Sequence, residues 1–220
     1  MSDRFTFNSA GLVHELEMAM DRVGLWNSAL VKNLCCGENL RIVREFLLGQ
    51  ISFKSVSEDA TRFIIINETT IAVNLGVTPD LPFNGAEVVE HIGEGWVIVE
   101  KRPDDLYING RKVVLHLSKR QKNGEWLKSH ELREELIGKL VLNANVFDAL
   151  YQNPRLIPEE WKKDENGNTS FIFFWGTIFR GSDGRLYVRC LYFHGGAWCW
   201  HCRWLGYDWD GHYPAALLAS

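Results

Sequence analysis

The sequence predicts an α+β fold: an N-terminal helical bundle, a mixed α/β centre and a C-terminal antiparallel β-meander. Three observations carry this expectation. Apolar residues recur at helical spacing in the first 50 positions, as in Leu12, Leu16, Ala19, Met20 and Val23. β-Branched runs bounded by turn residues dominate from Arg62 onward. Beyond Ser170, aromatic-rich segments alternate with Gly181-Ser182-Asp183-Gly184 and Gly195-Gly196 turns.

In residues 1–50, Asn8 or Ser9 can cap a first helix that Gly24 closes. A second helix is expected over Ser28–Cys35 with Gly37 as its stop, and a third over Glu38–Leu48 ending at Gly49. Residues 51–161 form the mixed region. Strands are expected at Arg62–Asn67, Thr70–Asn74 and Trp96–Glu100, with a break at Thr78-Pro79-Asp80-Leu81-Pro82. Asn109-Gly110 predicts a tight hairpin between Leu106–Ile108 and Lys112–Leu117. Helices follow at Glu131–Ile137, capped by Ser129, and at Ala144–Gln152, capped by Asn143. The polar segment 162–170, with Asn166-Gly167-Asn168, reads as a linker. Residues 171–220 then form the meander, with strands Phe171–Arg180, Arg185–Phe193 and Ala197–Leu205.

The 220 residues are 46% hydrophobic, which excludes a disordered chain, and nine Trp and twelve Phe demand a core or a partner. A net charge of -4 leaves no global basic field for nucleic acid or anionic membrane, so such binding needs a local patch. No apolar run approaches the roughly 18–20 residues of a membrane helix. The start Met1-Ser2-Asp3-Arg4-Phe5 lacks the pattern of a signal peptide. Cys35, Cys36, Cys190, Cys199 and Cys202 are then expected to be reduced thiols, and the chain to be cytoplasmic with no membrane partner.

Several strings are distinctive. They are LNANVFDALYQNPRLIPEEW over Leu142–Trp161, FFWGTIFRGSDGRLYVRCLY over Phe173–Tyr192, the spacing Trp198, Trp200, Trp204, and the tail Tyr213-Pro214-Ala215-Ala216-Leu217. With the N-terminal pattern from Gly11-Leu12 to Cys35 and Gly37, they resemble a recurring group of hypothetical proteins from small-genome bacteria of uncultivated lineages. The resemblance implies a bacterial origin and a single evolutionary unit over most of the chain. It implies no activity, cofactor or site residue.

Cys199-Trp200-His201-Cys202 has the spacing of a zinc knuckle, with Cys190 and either His201 or His194 completing a ligand set. Strand geometry opposes it. A hairpin turning at Gly195-Gly196 puts Cys190 opposite His201 and Tyr192 opposite Cys199 on one face, and sends Cys202 to the other with Trp198, Trp200 and Trp204. Structural zinc is therefore an alternative, and the expectation is no cofactor. His130-Glu131-Leu132-Arg133-Glu134 lacks the second His of a metalloprotease helix, and no nucleophile elbow, P-loop or dinucleotide fingerprint occurs. An N-terminal helix-turn-helix fails on charge, because its reading helix would carry only Lys32.

Two features point to binding. From Arg111 to Arg133 the chain carries Arg111, Lys112, Lys119, Arg120, Lys122, Lys128 and Arg133 against Glu125 and Glu131. On the C-terminal strands, Arg189, Trp200, Arg203 and Trp204 could offer stacking faces and phosphate partners, or could be core. The function expected is a non-catalytic binding protein for an acidic partner, nucleic acid first. The alternative is a structural or protein–protein interaction domain.

Overall fold

Residue pairing across the whole middle and end of the chain builds a single large sheet. The computed structural model describes residues 62–219, which belong to the second of the two units into which the chain divides, Met1–Val56 and Ser57–Ser220. The expected helical bundle of residues 1–50, its helix-turn-helix reading and Cys35-Cys36 lie outside the described residues.

The strands are β1 (Phe63–Ile65), β2 (Thr70–Asn74), β3 (Glu87–His91), β4 (Trp96–Lys101), β5 (Leu106–Ile108), β6 (Arg111–His116), β7 (Leu127–Lys128), β8 (Ile172–Phe173), β9 (Thr177–Arg180), β10 (Leu186–His194), β11 (Ala197–Trp204), β12 (Asp208–Trp209) and β13 (Ala215–Leu218). The helices are α1 (Lys119–Lys122), α2 (Ser129–Leu136) and α3 (Ala144–Gln152).

Eleven strands make one sheet in the order β1-β2-β4-β5-β6-β13-β8-β10-β9-β3, with β11 on β10, and β7 and β12 form a separate ribbon. The pairs are antiparallel except β13 with β8, where Ala215 aligns with Phe173. This corrects the expected fold class. The described residues are a mixed sheet with three α-helices and two short 3-10 helices, not a mixed α/β centre followed by its own meander. The polar segment 162–170 is a turn closed by the bridge between Lys163 and Thr169, and β13 beyond it pairs with β6 before it.

Local chemistry explains the elements. Asn109 and Gly110 both take positive φ (48° and 77°), as a two-residue hairpin turn requires. The Asn143 side chain accepts hydrogen bonds from the amides of Asn145 and Val146 and so starts α3. The run Phe171–Arg180, expected as one strand, breaks at Trp175-Gly176. A Cβ on Gly176 would lie 2.9 Å from the backbone carbonyl of Leu142, so only glycine admits that approach.

The near-continuous apolar character of Ile172 to Trp175 has a structural cause: both faces of the sheet are covered. Ile172 and Phe174 pack with Leu191, Ala216 and α3 on one side. Phe173 and Trp175 pack with Val188, Cys190, Trp209 and the α2 residues Leu132 and Leu136 on the other. Helix α3 is buried through Leu150, including Asn145 and Asp148. Asn145 Nδ2 lies 2.9, 3.0 and 2.7 Å from the carbonyls of Asn74, Leu75 and Val77, so this polar side chain holds the loop after β2 against the helix.

Candidate anion-binding surface

The basic stretch does not act as one patch. Four of its seven cations are engaged by carboxylates: Lys112 by Asp105, Arg120 by Glu125 and Glu131, Lys128 by Asp208, and Arg133 by Glu90. Arg111, Lys119 and Lys122 are exposed and have no ion pair among the described residues. The expected loop 119–124 opens with α1, a single turn whose Ser118 cap accepts from Gln121 N while Gln121 Oε1 accepts from Ser118 N. Gln121 points inward to the Asp210 carbonyl at 2.7 Å, and this leaves Lys119 and Lys122 on the solvent side.

His116, at the end of β6, feels the charges of both Lys122 and Lys139. Its pKa is held below the ordinary histidine value, first by burial, then by the charges of Lys139 and Lys122, with Glu135 opposing. Its Nε2 is buried without a hydrogen-bond partner. Lys122 also borders a cleft of about 680 Å³ together with Lys163 and Trp126, whose indole is 57% exposed. Asp164, Glu165 and Asp210 line the same cleft. Asp164 accepts from the amides of Asn166 and Asn168 and pairs with His212, and Asp210 accepts from His212 N. Glu165 stands exposed at the rim.

The C-terminal aromatic face is mostly structural. The β10–β11 register matches the expected hairpin, with Tyr187 opposite Trp204, Arg189 opposite Cys202, Cys190 opposite His201 and Tyr192 opposite Cys199. Arg189 is buried: its Nη1 donates to Asp148 Oδ1 at 2.8 Å and to the Asp80 carbonyl at 3.3 Å. Its guanidinium lies 3.9 Å from the centre of the Phe147 ring and 4.9 Å from that of Trp200. Trp198 and Trp200 pack against the α3 core. Trp204 is half-buried between Tyr207 and Arg185. Arg203, on the opposite face, donates to the Asp208 carbonyl at 2.7 Å and lies over Tyr213. Arg189 and Trp200 therefore hold the fold together, and Arg203 and Trp204 have intramolecular partners.

The three described cysteines, Cys190, Cys199 and Cys202, do not converge either. Cys199 and Cys202 point to opposite faces of β11, as the alternation of a strand dictates. Burial pushes the Cys202 thiol up to about 12 and the Cys190 thiol higher still. Among the described residues no group of three or more His, Cys, Asp or Glu is placed to hold a metal ion.

Sequence reasoning missed Lys139, His116 and Trp126. Trp126 carried a legible signal, an indole in the charged run Glu125-Trp126-Leu127-Lys128. Lys139 and His116 carried none, since only the fold brings them beside Lys122. No helix among the described residues is long and apolar enough to cross a membrane.

The fold and this surface together define a mixed-sheet protein, covered on both faces around β8 and β10, with exposed lysines near one end of β6. Comparison with known proteins adds no relative: no family model, no curated protein and no solved structure matches the chain.

Proposed function

We propose that this chain is a non-catalytic binding protein of the cytoplasm whose partner is acidic and of the nucleic-acid class. Its phosphates would meet Lys119, Lys122 and Lys139, and a base would stack on Trp126. The observation that carries the reading is the unequal neutralisation of the basic stretch. Lys112, Arg120, Lys128 and Arg133 are ion-paired, whereas Lys119 and Lys122 stay exposed, Lys122 in the same cleft as the exposed Trp126. Unpaired cations release counterions when they meet phosphate, and an exposed aromatic face accepts any base.

The test is fluorescence anisotropy with labelled single-stranded DNA and RNA at low salt. Lys119→Ala with Lys122→Ala should weaken binding at least about tenfold, as loss of two phosphate contacts does. Lys128→Ala with Arg133→Ala, which removes ion-paired cations, should weaken it far less. Equal effects of the two pairs, or no binding at all, would overturn the proposal.

One observation favours a second reading, a protein-interaction domain. On the outer face of the sheet Ile64, Ala72 and Ile98 lie side by side across β1, β2 and β4, and Ile64, Ile98 and the nearby Trp96 are exposed. Concentration-dependent self-association lost in Ile98→Lys would support it.

A further inference from the structure

A second site shares Lys139 with the nucleic-acid reading and otherwise uses different residues. Where β2, β4 and β5 end above α3, a cavity of about 280 Å³ opens to solvent. Its walls are apolar: Leu75, Val97, Ile108, Leu142, Val146 and Leu218. Ile92 and Leu140 form its lips and are 56% and 49% exposed. The polar groups in the wall are already committed. Asn143 donates to the carbonyls of Leu75 and Ile92 and accepts from two α3 amides, and Asn109 Oδ1 accepts from Ile98 N. The wall therefore offers an occupant contact area and few hydrogen bonds.

The rim is different. Arg111 and Lys139 both border the cavity, both are exposed, and neither forms an ion pair among the described residues. Among the described residues no carboxylate lines the cavity. Two uncompensated cations at the mouth of an apolar pocket select one chemistry, an anionic head on an aliphatic body. A neutral apolar ligand would leave the cations unused, and a polyanion would find no polar partner inside.

We propose that this pocket binds an amphiphilic carboxylate of the medium-chain acyl type. The acyl chain lies among Val97, Ile108, Val146 and Leu218, and the carboxylate meets Arg111 and Lys139. Arg111 can take the carboxylate through two parallel N–H donors, and Lys139 adds a point charge.

The probes are hexanoate, octanoate and decanoate, each below its micelle concentration, titrated calorimetrically into the full chain. Affinity should rise about fourfold per added methylene until the cavity is filled, the factor expected for burying a CH₂. Octanoate should bind at least about tenfold more tightly than octanol, because a charge-assisted contact contributes that much. Arg111→Ala with Lys139→Ala should abolish that preference while octanol binding stays, which separates loss of the head-group site from loss of fold. Leu140→Glu, an exposed lip position, should repel carboxylates alone. Lys119→Ala with Lys122→Ala should leave octanoate unaffected even if it abolishes nucleic-acid binding. The proposal is overturned by no saturable octanoate binding, by affinity independent of chain length, or by an unchanged octanoate preference in the Arg111/Lys139 variant.

Discussion

The buried pair Asp148–Arg189 gives the sharpest test of how this fold is held. Their side chains are 4% and 5% exposed, and the guanidinium lies between Phe147 and Trp200. Burial raises the Asp148 pKa against the pull of Arg189, so each charge depends on the other for its place inside. Asp148→Leu strands Arg189 in the core, which costs about 3–5 kcal/mol. The bond from Asp80 N to Asp148 Oδ2 is lost as well, about 1 kcal/mol more. A loss of about 4–6 kcal/mol in a unit of this size lowers the melting temperature by about 8–24 °C. Replacing both partners, Asp148→Leu with Arg189→Met, removes the stranded charge and should return stability to within about 1 kcal/mol of the parent. Urea denaturation followed by tryptophan fluorescence reads the parent, both single variants and the double. The reasoning fails if Asp148→Leu stays within about 1 kcal/mol of the parent, or if the two single losses simply add in the double variant.

Other positions make equally direct predictions. His116 has a depressed pKa in the fold, so it binds a proton less readily folded than unfolded. Its contribution to stability is complete above the unfolded value of about 6.5 and declines as pH falls below it toward the folded value. Urea midpoints between neutral and mildly acid pH should show this fall, and His116→Gln should flatten it. Gly176→Ala drives a Cβ into the Leu142 backbone and should cost about 1–3 kcal/mol in the same assay. In native protein at neutral pH, a thiol reagent followed by peptide mass analysis should label Cys199, which is partly exposed, well before Cys190 and Cys202, whose thiols burial keeps protonated.

What the sequence disclosed was local. The Asn109-Gly110 hairpin, the Asn143 cap and the β10–β11 register follow from turn chemistry and alternation within a few residues. Strand β3 escaped notice because its antiparallel partner β9 lies far along the chain. The parallel contact of β13 with β8, which merges the C-terminal strands into one sheet, leaves no local trace either.

The candidate site shows the same division. The stretch Arg111–Arg133 looked uniformly basic because only Glu125 and Glu131 lie within it. Three further neutralising carboxylates, Glu90, Asp105 and Asp208, come from outside. Trp200 and Arg189 looked like a stacking platform because Asp148, the acid that draws Arg189 inward, is 41 positions away.

The salt dependence of nucleic-acid binding reports directly on phosphate contacts at the exposed lysines. Single-strand contacts contribute a slope of about 0.7 per phosphate, so contacts at Lys119, Lys122 and Lys139 predict a log–log slope near −2 and about a 20-fold loss of affinity between 50 and 200 mM salt. Lys119→Ala with Lys122→Ala should reduce the slope to about −0.7. Binding that is insensitive to salt, a slope unchanged in that variant, or no binding at 50 mM would contradict the account.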